Sequence, residues 1–257
     1  LLLFSSIFNL HIFSSVTLDS SSRIIDVSSA SYRIEYYFRI ESLNGKMRLR
    51  IPLPGNITFQ SSRIIERTGE VALASIVGKN GNTVLYIESS DNLFEGRIVF
   101  NITVYTPYNI SGELYKYNLR SLINSKFGLS SEDYEKYVKP TYWWNYSDPE
   151  VSNYTEDLKR EILGDENITL GEAVSKIRDF VVSTITYEVQ EKRVHVKKVL
   201  ELHKGDCSDY SDLFVTITRC IGIPSRRALG LILTDWSDAE RSYKPVSYTH
   251  LTLPTTE

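Results

Sequence analysis

The residues with the clearest chemical potential lie in one run, Val199-Leu200-Glu201-Leu202-His203-Lys204-Gly205-Asp206-Cys207-Ser208-Asp209-Tyr210-Ser211-Asp212-Leu213-Phe214. Gly205 permits a sharp turn and Asp206 is a good helix N-cap, so Cys207 is expected to open a helix. Tyr210, Leu213, Phe214, Ile217 and Ile221 then form an apolar stripe at helical spacing. A sulfur at a helix N-terminus meets the positive end of the dipole and unpaired N–H groups, which both attract an anion such as the nucleophilic thiolate. The same first-turn N–H groups suit the oxyanion of an acyl-transfer intermediate. Most free cysteines are simply small buried hydrophobes. Cys207 sits instead at a polar helix start among Asp206, Ser208 and Asp209, which argues for chemistry, whereas Cys220 faces the apolar stripe and reads as structural.

The remaining polar side chains offer less. Cys207 and Cys220 are thirteen positions apart on the expected helix, about 20 Å along its axis. A disulfide needs less than about 7 Å, so both thiols are expected to be free. Asp206, Asp209 and Asp212 read as carboxylates that cap and solvate the helix start rather than bind metal. His195 and His203 precede the cysteine at a spacing of eight, which fits no usual zinc motif, and they read as solvated or locally hydrogen-bonded. No cofactor or metal ligand set is expected.

The elements that must position this run follow from hydrophobic period. Thr169-Leu170-Gly171-Glu172 is a capping box, followed by the stripe Ala173, Val174, Ile177, Phe180, Val181 and Ile185. Val196–Leu202 reads as a short helix. Tyr115–Tyr137 carries helical spacing without strong caps, and Lys139-Pro140-Thr141 breaks it. Trp143 and Trp144 are expected to pack as core where two domains meet, with a substrate groove as the alternative. Upstream the pattern changes to period two in Tyr32–Ile40, Met47–Ile51 and Ile98–Val104, as expected for sheets with one buried face. Asn80-Gly81, between Val71–Val77 and Thr83–Ile87, signals a hairpin. An antiparallel β-sandwich over residues 17–108 is the expected architecture.

Lys204-Gly205-Asp206-Cys207, Asp209-Tyr210, Leu213 and Arg219-Cys220-Ile221-Gly222-Ile223-Pro224-Ser225-Arg226, leading into the strand-like Ala228–Leu233, together resemble the transglutaminase-like superfamily. Tyr137–Thr141, Asp148-Pro149 and Thr186-Tyr187 are similar to the lead-in of microbial members, so the resemblance covers about residues 135–233. It implies a papain-like α+β core over 148–244, preceded by the sandwich and a helical linker over 109–147. The implied chemistry is attack of Cys207 on an amide carbonyl to give a thioester, assisted by a histidine and an aspartate. Cys207 carries over; the histidine and aspartate do not. His250 is the one histidine downstream, but residues 245–257 read as adapter-derived sequence, and the core is expected to be incomplete and the chain inactive. Hydrolysis is expected over cross-linking, with a non-catalytic surface or cell-wall module as the alternative.

Bulk properties bound the partners. The 257 residues carry a formal net charge of −3 with a sequence pI near 5.9, which offers no footprint for nucleic acid. Residues 1–16 are apolar and serine-rich and read as a signal-peptide or anchor remnant, with a buried first strand as the alternative. Six of the thirteen asparagines, Asn56, Asn101, Asn109, Asn145, Asn153 and Asn167, are glycosylation sequons. An extracellular or cell-surface glycoprotein with a protein or peptide substrate is therefore expected, touching a membrane only through that N-terminal segment.

Overall fold

The computed structural model describes residues 7–16, 29–41, 47–57, 60–70, 75–79, 82–89, 93–105, 115–190, 192–232 and 244–250. The chain divides into two compact units, Leu1–Ile110 and Ser111–Glu257. The first is antiparallel β and the second mainly helical, a mixed α and β architecture.

The first unit holds two sheets. One has strand order β1 (Ile7–Val16), β2 (Ser29–Glu41), β7 (Leu93–Tyr105), β4 (Gln60–Gly69). The other runs β3 (Met47–Leu53), β6 (Asn82–Ser89), β5 (Ser75–Lys79). The alternating runs expected from sequence are β2, β3 and part of β7. Ile34 and Phe38 of β2, Phe94, Ile98, Phe100 and Ile102 of β7, and Leu85 and Ile87 of β6 are buried, so in each strand a period-two set turns to the core. Strands β5 and β6 pair antiparallel as far as Lys79↔Asn82, and the Asn80-Gly81 hairpin signal itself lies outside the described residues. The segment 1–16 supplies β1, paired in register with β2 from Ile7↔Arg39 to Val16↔Ala30. Strand β4 has no clean alternation in its sequence; it is added at the β7 edge, with a register shift between Ile64 and Glu66.

The second unit is built on six helices among the described residues: α1 (Leu119–Asn124), α2 (Ser131–Val138), α3 (Pro149–Gly164), α4 (Leu170–Thr184), α5 (Val196–Leu202) and α6 (Cys207–Ile221). Short strands β8 (Thr186–Tyr187) and β9 (Lys204–Gly205) pair in parallel, and β10 (Arg226–Ile232) pairs antiparallel with β11 (Lys244–His250). The stripe expected on α4 is the packed one: Ala173, Ile177 and Val181 are buried, with Ile185 just beyond the helix, against Leu213, Ile217 and Ile221 of α6 and Val199 and Leu200 of α5. Among the described residues no helix is long and apolar enough to cross a membrane.

The segment 115–137 departs from the single uncapped helical stretch read from sequence. It is two helices, each with a side-chain cap: Asn118 accepts from the Ser121 N–H and Ser130 from the Asp133 N–H. Between them Lys126, Phe127 and Gly128 all take positive φ in a 3-10 turn. That conformation is unfavourable for Phe127, and burial of its ring in the core offsets the cost. The caps are serine and asparagine, whose short side chains compete for backbone groups and end helices. The break after Val138 falls where sequence places it, because Lys139 precedes Pro140 and is pushed to extended backbone.

The α4 capping box is complete: the Glu172 N–H donates to Thr169 Oγ1 and the Thr169 N–H donates to Glu172 Oε2. Thr169→Ala should lower the unfolding free energy of the second unit by about 1 kcal/mol, measured by denaturant titration, with no change in Cys207 alkylation rate.

Candidate active site

Cys207 is the first residue of α6 and is half-buried. The turn that delivers it is set by short contacts. The Thr186 N–H donates to the His203 carbonyl and the Glu188 N–H to the Gly205 carbonyl, which fixes β9 beside β8. Gly205 is buried against Asp209; a Cβ there would lie 2.5 Å from Asp209 Cβ, a distance no side chain tolerates. Asp206 caps the helix, accepting from the Ser208 N–H at 2.7 Å, while Asp209 Oδ2 accepts from the Asp206 N–H at 2.9 Å. The cap expected at Asp206 is thus a reciprocal capping box with Asp209.

This arrangement narrows the expected oxyanion donors. The Ser208 N–H is taken by the Asp206 carboxylate and the Asp209 N–H by the Asp206 backbone carbonyl. Among the described residues the Cys207 N–H has no partner, so it is the first-turn donor left for an acyl oxyanion. Tyr210, one turn on, shares the Cys207 face; its hydroxyl donates to the Ile185 carbonyl, and Tyr187 lies 6.5 Å from it, centroid to centroid.

The sequence reading of Asp206, Asp209 and Asp212 as capping and solvating the helix start holds for capping by Asp206 and Asp209, but Asp209 and Asp212 are not solvated. Both are buried, at 0% and 1% exposure. Asp212 accepts from Arg193 Nε at 2.7 Å and Nη2 at 2.8 Å, from Trp144 Nε1 at 2.7 Å, and more loosely from Arg227 Nη1 at 3.4 Å. Four segments far apart in sequence meet on one carboxylate. The helix is enclosed on more sides than its apolar stripe, so its polar face is buried too and must be satisfied by partners from other elements. Arg193 also lies over the Trp143 ring, 4.2 Å from its centroid. The Trp143-Trp144 pair is therefore tied to α6 by polar and cation–π contacts as well as by packing.

Asp209 is less well served. Its Oδ1 is buried without a hydrogen-bond partner among the described residues. Burial pushes its carboxyl up to about 6, helped by the nearby Asp206 and Asp212 charges and opposed by the Asp206 N–H and Arg193. At the other end of α6, Arg219 is buried with no carboxylate against it among the described residues. It donates to the Ser225 carbonyl at 3.0 and 2.6 Å and to the Lys139 carbonyl at 3.0 Å, and stacks 4.3 Å from the Trp144 ring centroid. Burial draws its guanidinium down to about 10. These contacts place Pro140–Trp144 across the helix.

Cys220 is the second free thiol, half-buried, with burial raising its pKa. His195 caps α5, its Nδ1 accepting from the Lys197 N–H at 3.3 Å, and His203 takes left-handed backbone with Nδ1 3.1 Å from the Thr184 carbonyl. Both are locally engaged. The backbone of His250 pairs with Arg226; its side chain lies outside the described residues. Among the described residues no group of three or more His, Cys, Asp or Glu could hold a metal ion.

The geometry converges with similarity to known proteins. Residues 156–251 match the family model described as the transglutaminase-like superfamily. This segment is a transglutaminase-like domain. The match takes in α4, α5, the Cys207 helix and both strands that follow it. A candidate cysteine protease from Cytophaga hutchinsonii has a similar fold, with a TM-score of 0.57, 12% identity, and coverage of 93% of this chain and 75% of that one. A candidate protease from Parabacteroides distasonis superposes with a TM-score of only 0.27 at 10% identity, over 79% of this chain and 57% of that chain, and bears no weight. No curated protein matches the sequence.

Two measurements check the buried carboxylates. Asp212→Ala leaves two half-desolvated guanidiniums unpaired and should destabilise the second unit by about 3–5 kcal/mol, read by denaturant unfolding; a loss below about 1 kcal/mol would show the network to be ornamental. The Asp209 carboxyl binds its proton more tightly folded than unfolded, where its ordinary value is 3.8. Its stabilising contribution is therefore complete below that value and is lost as pH rises through about 6. Asp209→Asn keeps an acceptor for the Asp206 N–H but cannot ionise, so its melting temperature should fall less than the wild type's between pH 5 and 7.5. Equal slopes would refute this assignment.

Proposed function

We propose that the protein is an exported cysteine enzyme that cleaves peptide or related amide bonds through a thioester on Cys207. The observation that carries this reading is the placing of Cys207: a half-buried thiol at the N-terminus of an otherwise enclosed helix, with its own N–H unpaired. The Cys207 thiolate adds to the amide carbonyl, the oxyanion is held at that N–H, and collapse expels the amine, which takes up a proton. Water then adds to the thioester and releases the acid and the thiol. The general base is not assigned to any described residue. Hydrolysis is preferred to transfer onto an amine because the similar Cytophaga hutchinsonii fold is that of a candidate protease.

Export is supported by the sequons. Asn56, Asn101, Asn153 and Asn167 are exposed, Asn145 is half-buried, and Asn109 lies outside the described residues. An extracellular or cell-surface location and a protein or peptide substrate follow from this reading. The two sheets of the first unit bury mainly alternate side chains, which supports a β-sandwich.

The test is acyl-enzyme trapping. Incubation with an activated acyl ester of a peptide, followed by acid quench and peptide mapping, should show the acyl mass on the Cys207 peptide and none in Cys207→Ala. A Cys207 left unmodified would sink the enzyme reading in favour of a non-catalytic surface module, and peptide turnover that persisted in Cys207→Ala would refute the Cys207 thioester mechanism.

A further inference from the structure

Two tyrosines make an aromatic surface near the nucleophile. Tyr187 is 63% exposed, and its ring lies 6.5 Å from that of the half-buried Tyr210, tilted by 38°. The Tyr210 hydroxyl donates to the carbonyl of the buried Ile185, which fixes that ring in place. Val189, two residues after Tyr187, is 76% exposed. A single exposed apolar residue means little. A held ring with its polar end already engaged, and a second ring against it, offers contact area at small entropic cost.

This surface is tied to Cys207 from two directions. Along α6, Tyr210 follows Cys207 by three positions, so the two are neighbours on one helix face, with Cβ atoms about 5–6 Å apart. Across the small ladder, Tyr187 pairs in register with Gly205, and the Glu188 N–H donates to the Gly205 carbonyl at 2.9 Å. Gly205 stands two residues before the cysteine. Glu188, the acid next to Tyr187, is matched by Lys204 at 2.8 Å.

The backbone indicates the form of the occupant. In β8 the Thr186 and Glu188 N–H groups turn to β9, so the N–H and carbonyl of Tyr187 between them turn the other way. Among the described residues those two groups have no hydrogen-bond partner, and Thr186, Tyr187 and Glu188 are all exposed. An unpaired strand edge takes up an extended peptide through main-chain hydrogen bonds, while the side-chain surface beside it sets the preference.

We propose that Tyr187 and Tyr210 form the wall that receives an aromatic or large apolar side chain of an extended peptide substrate beside Cys207. This inference rests on the reading of Cys207 as a substrate-facing nucleophile and adds the class of side chain close to the scissile amide. Tyr187 sets the preference with its ring and aligns the substrate with its outward N–H and carbonyl.

Paired alkylating agents test the wall without requiring turnover. N-phenyliodoacetamide carries an aromatic ring and iodoacetamide lacks it, and both displace iodide onto the same sulfur. The ratio of their rates at Cys207, read by peptide mapping, should be higher in the folded protein than in the guanidinium-unfolded chain. Covering about 40 Å² of ring against the wall corresponds to about fivefold. Tyr187→Phe should keep this excess and Tyr187→Ala should lose it, with the iodoacetamide rate alike in all three proteins. N-acetylphenylalanine methylamide should protect Cys207 from iodoacetamide better than N-acetylalanine methylamide does, and should lose that advantage in Tyr187→Ala. A wild-type ratio equal to that of the unfolded chain, or equal protection by the two amides, would overturn the proposal. So would equal slowing of both reagents in Tyr187→Ala, the mark of a residue that only holds the fold. An excess that falls as protein concentration rises would give the wall to a second copy of the chain and overturn it too. A preference that holds while no acyl-enzyme forms would support the wall and count against the enzyme reading alone.

Discussion

The second unit is organised around the Asp212 carboxylate. A charge buried this completely is tolerable only when several donors converge on it. Here the donors come from the aromatic segment before α3, the segment before α5, and β10. Each connection fixes a piece of chain that apolar packing alone would leave free to slide. The hydrophobic core joins α4, α5 and α6, but non-directional packing does not choose a register; the carboxylate does. The helix that carries it also carries Cys207, so the geometry of the thiol is inherited from the same set of contacts.

The two ends of α6 are held by different means. At the cysteine end the fastening is ionic and includes Asp209, whose free oxygen and raised pKa mark a site that is not fully satisfied. At the far end Arg219 is fastened by carbonyls and an aromatic face. Incomplete satisfaction is concentrated where chemistry is proposed, and the distal end is polar but better partnered. Strain and unmet polar demand are more often kept at working sites than elsewhere in a fold.

What could be read from sequence was what depends on neighbours along the chain. The Thr169 capping box, the span of α5, the start of α6 at Cys207 and the alternation in β2 and β7 all arise from residues within one or two turns or one strand of each other. The Gly205 turn was legible for the same reason, although its close contact with Asp209 was not. The Asp212 cluster was missed because its members are separated by 15, 19 and 68 positions and no local period connects them. Asp209 and Asp212 look like ordinary first-turn acids until the whole helix is known to be enclosed. Strand β4 was missed because an edge strand with Ser, Arg and Glu at its outer positions has little apolar alternation to show.

The small β8–β9 ladder closes the chain between Thr186 and Gly205 into a loop pinned at its neck. Enlarging a closed loop is cheap, about 0.6 kcal/mol for each doubling of length. Residues 189–190 could thus accept inserted segments during divergence while the neck still delivers Gly205, Asp206 and Cys207 to the same place. The architecture separates a part that can vary in length from one that cannot, and the border between them runs one residue to either side of the ladder.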